Sequence, residues 1–483
     1  MVDLFHEQNL IQVECATCGR ADCYYCPQCL HLGIAKSCEP FLAWHPARAE
    51  AVSGIDITKL HNRHPDSTKQ ENNIRQENNM NQEISRKGNE TVSFSWNGQL
   101  SPAQKHASEQ LYQFVHQPYQ EAYEFLIYAV CGAGKTEILF QTIYQSLRKK
   151  QKILITSPRR DVVVELAPRL KEAFPQTKVC VLHGESNEKY QAGDLFLATT
   201  HQTLRFQHYF DLVVIDEEDA FPYHFDPMLP YVVQRSRKPQ GHVVYLSATP
   251  REAMLRRVKN GQLQAVRILQ RFHGHPLAIP KLQVVGPWRR LMEKKEVISE
   301  LLHYVAHLLQ NQRYGYLFVP YVKDLPLVKE YIEETILPYI AKQQGISSDL
   351  EDVTIPLGMN AIQDVIQSNS RSSFVVETVH SEDPRRTELV QRYRAQEIQL
   401  LITTTILERG VTISHSDVAI LGSDDAIFDV ASLIQMSGRA GRKAADPVGN
   451  VWFFSEVRTN TQLKAIRTIK ECNQLASEEV AIK

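Results

Sequence analysis

At 483 residues the chain exceeds a single compact core, since domains average roughly 100–200 residues. A hydrophobic fraction of 43% and a charged fraction of 23% sit near globular averages, which excludes a wholly disordered or collagen-like chain. With 54 Lys plus Arg against 55 Asp plus Glu the net charge is −1, so any polyanion must be held by a local basic surface.

The first sixty residues are dominated by cysteine. Six of the nine cysteines fall here, at Cys15, Cys18, Cys23, Cys26, Cys29 and Cys38, while Cys131, Cys180 and Cys472 are scattered. The opening Met1-Val2-Asp3-Leu4-Phe5-His6-Glu7 lacks the basic start and apolar stretch of a signal peptide. No apolar run approaches the roughly 18–20 residues of a membrane span. A soluble intracellular protein is therefore expected, and in a reducing compartment paired C-x-x-C spacing favours a metal over disulfides. Cys15-Ala16-Thr17-Cys18 and Cys26-Pro27-Gln28-Cys29 form two knuckles separated by seven residues, and four thiolates suit a closed, structural, tetrahedral Zn²⁺ site. Cys23-Tyr24-Tyr25-Cys26 has the same spacing, so the residues alone leave the ligand set open. A redox pair is the competing reading, although nothing thioredoxin-like surrounds the cysteines.

Residues 61–90 carry ten Asn or Gln and three aliphatic side chains, Ile74, Met80 and Ile84. Such a segment buries too little apolar surface to offset its ordering entropy, and a polar linker over 61–94 is expected, with a short solvated helix as the alternative. Beyond it, apolar runs alternate with amphipathic stretches. Strands are predicted at Phe125–Val130, Lys152–Thr156, Lys178–Leu182, Leu195–Thr199, Leu212–Ile215 and His242–Leu246, with helices at Glu137–Leu147 and Val162–Glu172. After Pro276 the alternation resumes, with strands at Tyr316–Val319, Phe374–Val379, Leu400–Thr404 and Val418–Leu421, and helices at Val297–Leu309, Glu388–Tyr393 and Ala431–Met436. Two tandem parallel-sheet α/β domains follow, over 95–275 and 276–470, with 471–483 as a C-terminal tail. Residues 335–372 show no usable pattern.

The chemistry is concentrated at strand ends. Ala129-Val130-Cys131-Gly132-Ala133-Gly134-Lys135-Thr136 follows a strand and opens a helix, which is the setting of a phosphate-binding loop. Gly132, Ala133 and Gly134 turn backbone N–H groups towards a triphosphate, and the helix N-terminus adds its positive end. Lys135 is placed to reach the β- and γ-phosphates of ATP and Thr136 to coordinate Mg²⁺. Downstream, Leu212-Val213-Val214-Ile215 runs into Asp216-Glu217-Glu218-Asp219. Asp216, at the end of a buried strand, suits a second Mg²⁺ anchor, and Glu217 is positioned to deprotonate an attacking water.

At this point the chain resembles the superfamily 2 helicases, and among them the ComFA family of late competence proteins, related to the PriA helicases. Further stretches carry the resemblance in the family's order: Leu100-Ser101-Pro102-Ala103-Gln104, Ser157-Pro158-Arg159-Arg160-Asp161, Thr199-Thr200-His201-Gln202, Ser247-Ala248-Thr249, Leu401 through Thr412, and Gln435-Met436-Ser437-Gly438-Arg439-Ala440-Gly441-Arg442. The resemblance implies RecA-like domains, ATP and adenine readout by Gln104, whose neutral amide both donates and accepts. It implies nucleic-acid contacts at Arg159, Arg160, Thr200, His201, Thr404 and Arg409, and coupling of hydrolysis to movement at Ser247 and Thr249. Gln435 would face the nucleotide, with Arg439 and Arg442 as arginine fingers supplied in cis. The family pattern assigns zinc to Cys15, Cys18, Cys26 and Cys29 in a small module over 1–60, leaving Cys23 and Cys38 as free thiols or Cys38 as a substitute ligand. Two departures stand out: Ala129 replaces the leading Gly of the strict phosphate-loop pattern, and Glu218 stands where the competence family is associated more with an aliphatic residue and PriA-like proteins more often have Glu.

The function implied is an ATP-dependent single-stranded DNA translocase or helicase that drives DNA uptake in natural competence. It would work in the cytoplasm at the inner face of the membrane, beside the uptake channel and a ComFC-like partner. An RNA helicase and a PriA-like replication-restart helicase are the alternatives, since the 2′-hydroxyl contacts that separate RNA from DNA are not legible. A non-catalytic zinc-ribbon scaffold is a third reading, opposed by the intact Lys135, Asp216, Glu217 and Arg442.

Overall fold

The computed structural model describes residues 11–13, 23–25, 92–117, 123–184, 186, 192–223, 225–345, 374–408 and 413–481. Of the first sixty residues it describes an antiparallel pair, β1 (Ile11–Val13) and β2 (Cys23–Tyr25), with Val13 opposite Cys23. Cys15, Cys18, Cys26 and Cys29 lie outside the described residues. Among the described residues no group of side chains is assembled to hold a metal, and no helix is long and apolar enough to cross a membrane.

The first α/β domain opens on α1 (Pro102–His116), β3 (Glu124–Ala129), α2 (Lys135–Arg148), β4 (Ile153–Ser157) and α3 (Arg160–Ala173). It continues with β5 (Val179–Leu182), β6 (Leu195–Thr199), a 3₁₀ turn (Thr200–Arg205) and β7 (Phe210–Asp216). It closes with α4 (Met228–Ser236), β8 (Arg237–Ser247), α5 (Glu252–Lys259) and β9 (Gln264–Ile268). The strands form one parallel sheet in the order β5-β6-β4-β7-β8-β3-β9. Helices cover both faces, which is why central strands such as Ile153–Ser157 are buried at every position and read as unbroken apolar runs. Helix α1 begins on a capping box: Ser101 Oγ accepts from Gln104 N–H, Gln104 Oε1 accepts from Ser101 N–H, and Pro102 takes the first turn.

The second domain comprises β10 (Lys281–Val284), α6 (Trp288–Glu293), α7 (Ser299–Gln310), β11 (Tyr314–Phe318) and α8 (Asp324–Tyr331). A π-helical turn (Ile332–Ile336) and α9 (Leu337–Gly345) follow, and then β12 (Val376–Val379), α10 (Arg386–Arg394) and β13 (Leu400–Thr403). After a 3₁₀ turn (Thr405–Glu408) come β14 (Ser416–Leu421), α11 (Val430–Ser437), β15 (Val451–Ser455) and α12 (Asn460–Ala481). Its parallel sheet has the order β10-β15-β14-β11-β13-β12. Residues 335–345, the start of the stretch without a usable pattern, are therefore helical, while 346–373 lie outside the described residues.

The domain limits differ from those expected at two places. Val92 and Phe94, placed in the polar linker, pack on the first core, where the Phe94 ring stacks on Tyr144 and Phe174 at 5.4 and 5.5 Å. Residues 471–481, expected as a tail, extend α12 instead. That helix returns to the first domain: Cys472 is buried beside the Tyr128 hydroxyl at 3.5 Å, and the Asn473 amide exchanges hydrogen bonds with the Leu277 backbone at 2.8 and 2.9 Å. Burial pushes the Cys472 thiol up from its ordinary pKa.

Candidate active site

Strands β7, β8 and β3 are neighbours, so the loops at their carboxyl ends meet in one place. They bring together the 130–136 loop, Asp216–Asp219 and Ser247–Thr249, while α11 and the turn after it close the cleft from the second domain. The cleft has a volume of about 590 Å³ and is lined by Gln104, Lys135, Thr136, Asp216, Glu217, Gln435, Arg439 and Arg442 among others. Small-molecule sites of roughly 300–1,000 Å³ are of this size.

The phosphate loop has the geometry its glycines require. Gly132 and Gly134 adopt φ of +81° and +71°, and Gly134 caps α2 in the left-handed region. Thr136 and Asp216, the latter at the end of β7, are both buried. A hydroxyl and a carboxylate are hard oxygen donors that fit Mg²⁺, and a glycine-rich loop at a helix N-terminus fits the phosphates of ATP. Glu217 holds φ of +61°, uncommon for a residue with a side chain, and its N–H donates to Leu246 O at 3.1 Å. Strain of this kind, about 1–3 kcal/mol, persists where the surroundings over-determine the backbone; here β8 supplies the constraint.

Gln104, expected as the adenine reader, has its amide engaged by protein groups. Its Nε2 donates to Ala133 O at 2.8 Å and Gly134 O at 3.3 Å, while Oε1 accepts from Ser101 N–H at 2.8 Å. The amide thus fastens the phosphate loop to the start of α1, because the capping box fixes Gln104 on the helix face that meets the loop. Gln435 is also turned onto protein groups: Oε1 accepts from Cys131 Sγ at 3.0 Å and Nε2 donates to Asp219 Oδ2 at 3.4 Å. Asp219 in turn accepts the Ser247 hydroxyl at 2.8 Å and the Thr249 hydroxyl at 2.7 Å. One hydrogen-bonded chain therefore runs from the phosphate loop through the second domain to Ser247 and Thr249.

Charge is distributed with the same economy. Glu218 is fully buried and paired with Arg251, the residue that precedes α5; burial raises its pKa while Arg251 opposes the rise. Arg439 is buried, and that burial, followed by the neighbouring Arg442, lowers its pKa to about 10. Arg442 is half-buried at the cleft wall.

The residues expected to hold nucleic acid fall at the ends of β4, β6 and β13. Arg159 and Arg160 begin α3, His201 lies in the 3₁₀ turn after β6, and Thr404 follows β13. Thr200 departs from expectation: it is fully buried, and its hydroxyl accepts from Thr156 Oγ1 at 3.4 Å, because the tight turn after β6 folds it under the sheet end. Arg409 lies outside the described residues. The sequence reading passed over Phe221 and Phe225, which are 66% and 65% exposed with ring centroids 5.6 Å apart, just beyond Asp216–Asp219. Their proximity to the acidic run was the available signal. It also passed over Arg271, which no local motif marks.

Residues 101–257 match the DEAD/DEAH box helicase family model and residues 358–444 the helicase conserved C-terminal domain. The chain is 36% identical over 388 residues to competence protein ComFA of Bacillus subtilis (strain 168), covering 80% of this chain and 75% of that protein. It is 34% identical over 381 residues to competence protein ComFA of Streptococcus pneumoniae (strain ATCC BAA-255 / R6), covering 79% of each. Among solved structures, RecG bound to a three-way DNA junction shares the fold, with a TM-score of 0.50 at 14% identity over 83% of this chain and 50% of that one.

Proposed function

Because the chain belongs to the ComFA family of DEAD/DEAH box helicases, and is thus a nucleic-acid-dependent ATPase that uses ATP and Mg²⁺, we propose that it pulls single-stranded DNA during uptake in natural transformation. The observation that carries the motor reading is the single cleft in which Lys135 and Thr136 of one domain face Arg439 and Arg442 of the other. In this reading Lys135 holds the β- and γ-phosphates, Thr136 and Asp216 hold Mg²⁺, and Glu217 takes the proton of the attacking water. Arg442 and Arg439 stabilise charge on the transferring phosphoryl group. The hydrogen-bonded chain through Gln435, Asp219, Ser247 and Thr249 passes the state of the nucleotide to the surface that grips the strand.

Arg159, Arg160, His201, Thr404 and Arg409 contact the sugar–phosphate backbone, and Phe221 and Phe225 offer stacking faces to bases. The DNA-uptake role rests on identity to the two competence proteins, and with it go a ComFC-like partner and a position at the inner face of the membrane beside the channel. The four-cysteine zinc module, with Cys15, Cys18, Cys26 and Cys29 as ligands, serves docking or DNA capture.

The test is ATP hydrolysis by the purified protein with single-stranded DNA or RNA of equal length. DNA should stimulate turnover more than RNA, and the stimulation should fade as salt rises, because phosphate contacts release counterions. Equal or greater stimulation by RNA sinks the DNA reading in favour of an RNA helicase. Lys135→Ala should lose nucleotide binding, and Glu217→Gln should keep binding and lose turnover; near-normal turnover in Glu217→Gln removes its assigned role.

A further inference from the structure

Between β9 and β10 the chain crosses from one domain to the other, and Arg271 and Phe272 of this crossing are wedged into the back of the cleft. Phe272 N–H donates to Gly132 O of the phosphate loop at 3.1 Å. Arg271 Nη1 donates to Gly441 O at 2.5 Å, the carbonyl between Arg439 and Arg442. Gly441 itself turns with φ of +59° and packs against Pro447 and Gly449, so its carbonyl direction is set by a tight turn. Gly438, at the start of the same turn, lies so close to Cys131 that a Cβ there would overlap it. Adjacent residues of the crossing therefore hold the two loops that must meet for hydrolysis.

Arg271 is an unusual cation. It is 2% exposed, and its Nε and Nη2 are buried with no hydrogen-bond partner among the described residues. Its stem and that of Arg442 flank Gly132, at 3.6 and 3.7 Å from where a Cβ would stand. Burial lowers its pKa to about 10, with Cys131 opposing the drop and Arg442 adding to it, so the group stays charged at neutral pH. A buried charge without a carboxylate partner is costly, and an apolar side chain would serve packing better. What the guanidinium adds is a directed bond to Gly441.

We propose that Arg271 is a further positioning residue of the ATPase reaction, a clasp in the interdomain crossing that holds the turn bearing Arg439 and Arg442 against the phosphate loop. It acts through those arginines and touches no reacting atom. Because the clasp belongs to the crossing, any swing of one domain on the other moves the finger turn relative to the loop. Hydrolysis competence is thereby tied to domain closure.

The inference rests on the finger role proposed for Arg442, and the experiment separates the two. Arg271→Met keeps the stem and removes the guanidinium; Arg271→Leu, which also lacks a donor, replaces it if the methionine variant does not fold. Either should lower kcat about 10²-fold, the loss typical of a reacting group displaced by about 1 Å, without changing KM for ATP. The double variant with Arg442→Ala should be no slower than Arg442→Ala alone, because the two act as one unit. Without nucleotide, amide hydrogen exchange should quicken across residues 436–449 and stay unchanged in the second-domain sheet. Parent-like kcat and exchange overturn the inference, as does a double variant slowed by the product of the single effects. If Arg442→Ala alone hydrolyses ATP at the parent rate, the finger reading and the clasp both fall. A slow Arg442→Ala beside a parent-like Arg271 variant removes the clasp only.

Discussion

Asp219 and Gln435 meet across the interdomain cleft, Gln435 Nε2 reaching Asp219 Oδ2 at 3.4 Å while the same carboxylate holds Ser247 and Thr249 at 2.8 and 2.7 Å. One side chain therefore gathers three donors, two from the end of β8 and one from the second domain. Asp219→Ala orphans the buried Ser247 hydroxyl, at about 1–3 kcal/mol for an unsatisfied buried group, and frees the half-buried Thr249 hydroxyl. The expected result is lower stability together with more ATP consumed per nucleotide travelled, since the link between hydrolysis and grip is cut. Parallel ATPase and translocation assays measure that ratio, and an unchanged ratio removes Asp219 from the coupling path.

Gln104 gives a second prediction, because its amide ties the phosphate loop to α1 through Ala133 O and Gly134 O. Gln104→Glu replaces the donor with a carboxylate that faces two carbonyl oxygens. KM for ATP should rise, by roughly tenfold for a lost contact of about 1.4 kcal/mol, and the same rise should appear for GTP. A rise confined to ATP would show that the amide reads adenine rather than holding the loop. Gly134→Ala should fail more severely, since its left-handed φ of +71° and the Gln104 amide both exclude a Cβ.

The Glu218–Arg251 pair predicts a pH dependence. Burial raises the Glu218 pKa and Arg251 is the main opposing influence. Removing Arg251 raises it further, so the ionised form becomes the unfavourable one. In acid, where Glu218 is protonated, Arg251→Ala should be nearly as stable as the parent; the deficit should open as pH rises through the elevated pKa. Thermal melting of both proteins from acid to neutral pH tests the sign. A deficit that is constant with pH, or greatest in acid, contradicts it.

The metal assignment is tested at the cysteines. The chain should carry one tightly held Zn²⁺ with four sulfur ligands, and chelation should unfold the module, because so small a segment folds on its ion. Cys15→Ala or Cys29→Ala should lose zinc and weaken DNA binding while basal ATP hydrolysis persists. Cys23→Ala should keep zinc. Cys23 does stand in β2 opposite Val13, two residues before Cys15, so zinc lost from Cys23→Ala and kept in Cys15→Ala would reverse the ligand set.

What the sequence determined by itself was whatever is local. Central parallel strands are buried on both faces, so Ile153–Ser157 and Leu212–Ile215 read as apolar runs, and the phosphate loop is a short string between one strand and one helix. Two of the four edge strands were not legible: Gln264–Ile268 leaves most positions exposed and Lys281–Val284 buries none, so both resemble loops. The strand Val451–Ser455 was passed over, since a short apolar run does not by itself separate a strand from a buried helix. Only the tertiary structure showed that Gln104 and Gln435 are engaged by backbone and side chains, because their partners lie 29 to 304 residues away. The same holds for Thr200, which the sheet end buries, and for Arg271, which acquires meaning through a carbonyl 170 residues downstream. Periodicity and motif spacing reach across a turn or two of chain. Which hydrogen-bonding groups face each other across a cleft depends on how two separate cores are set against one another, and that is decided by packing.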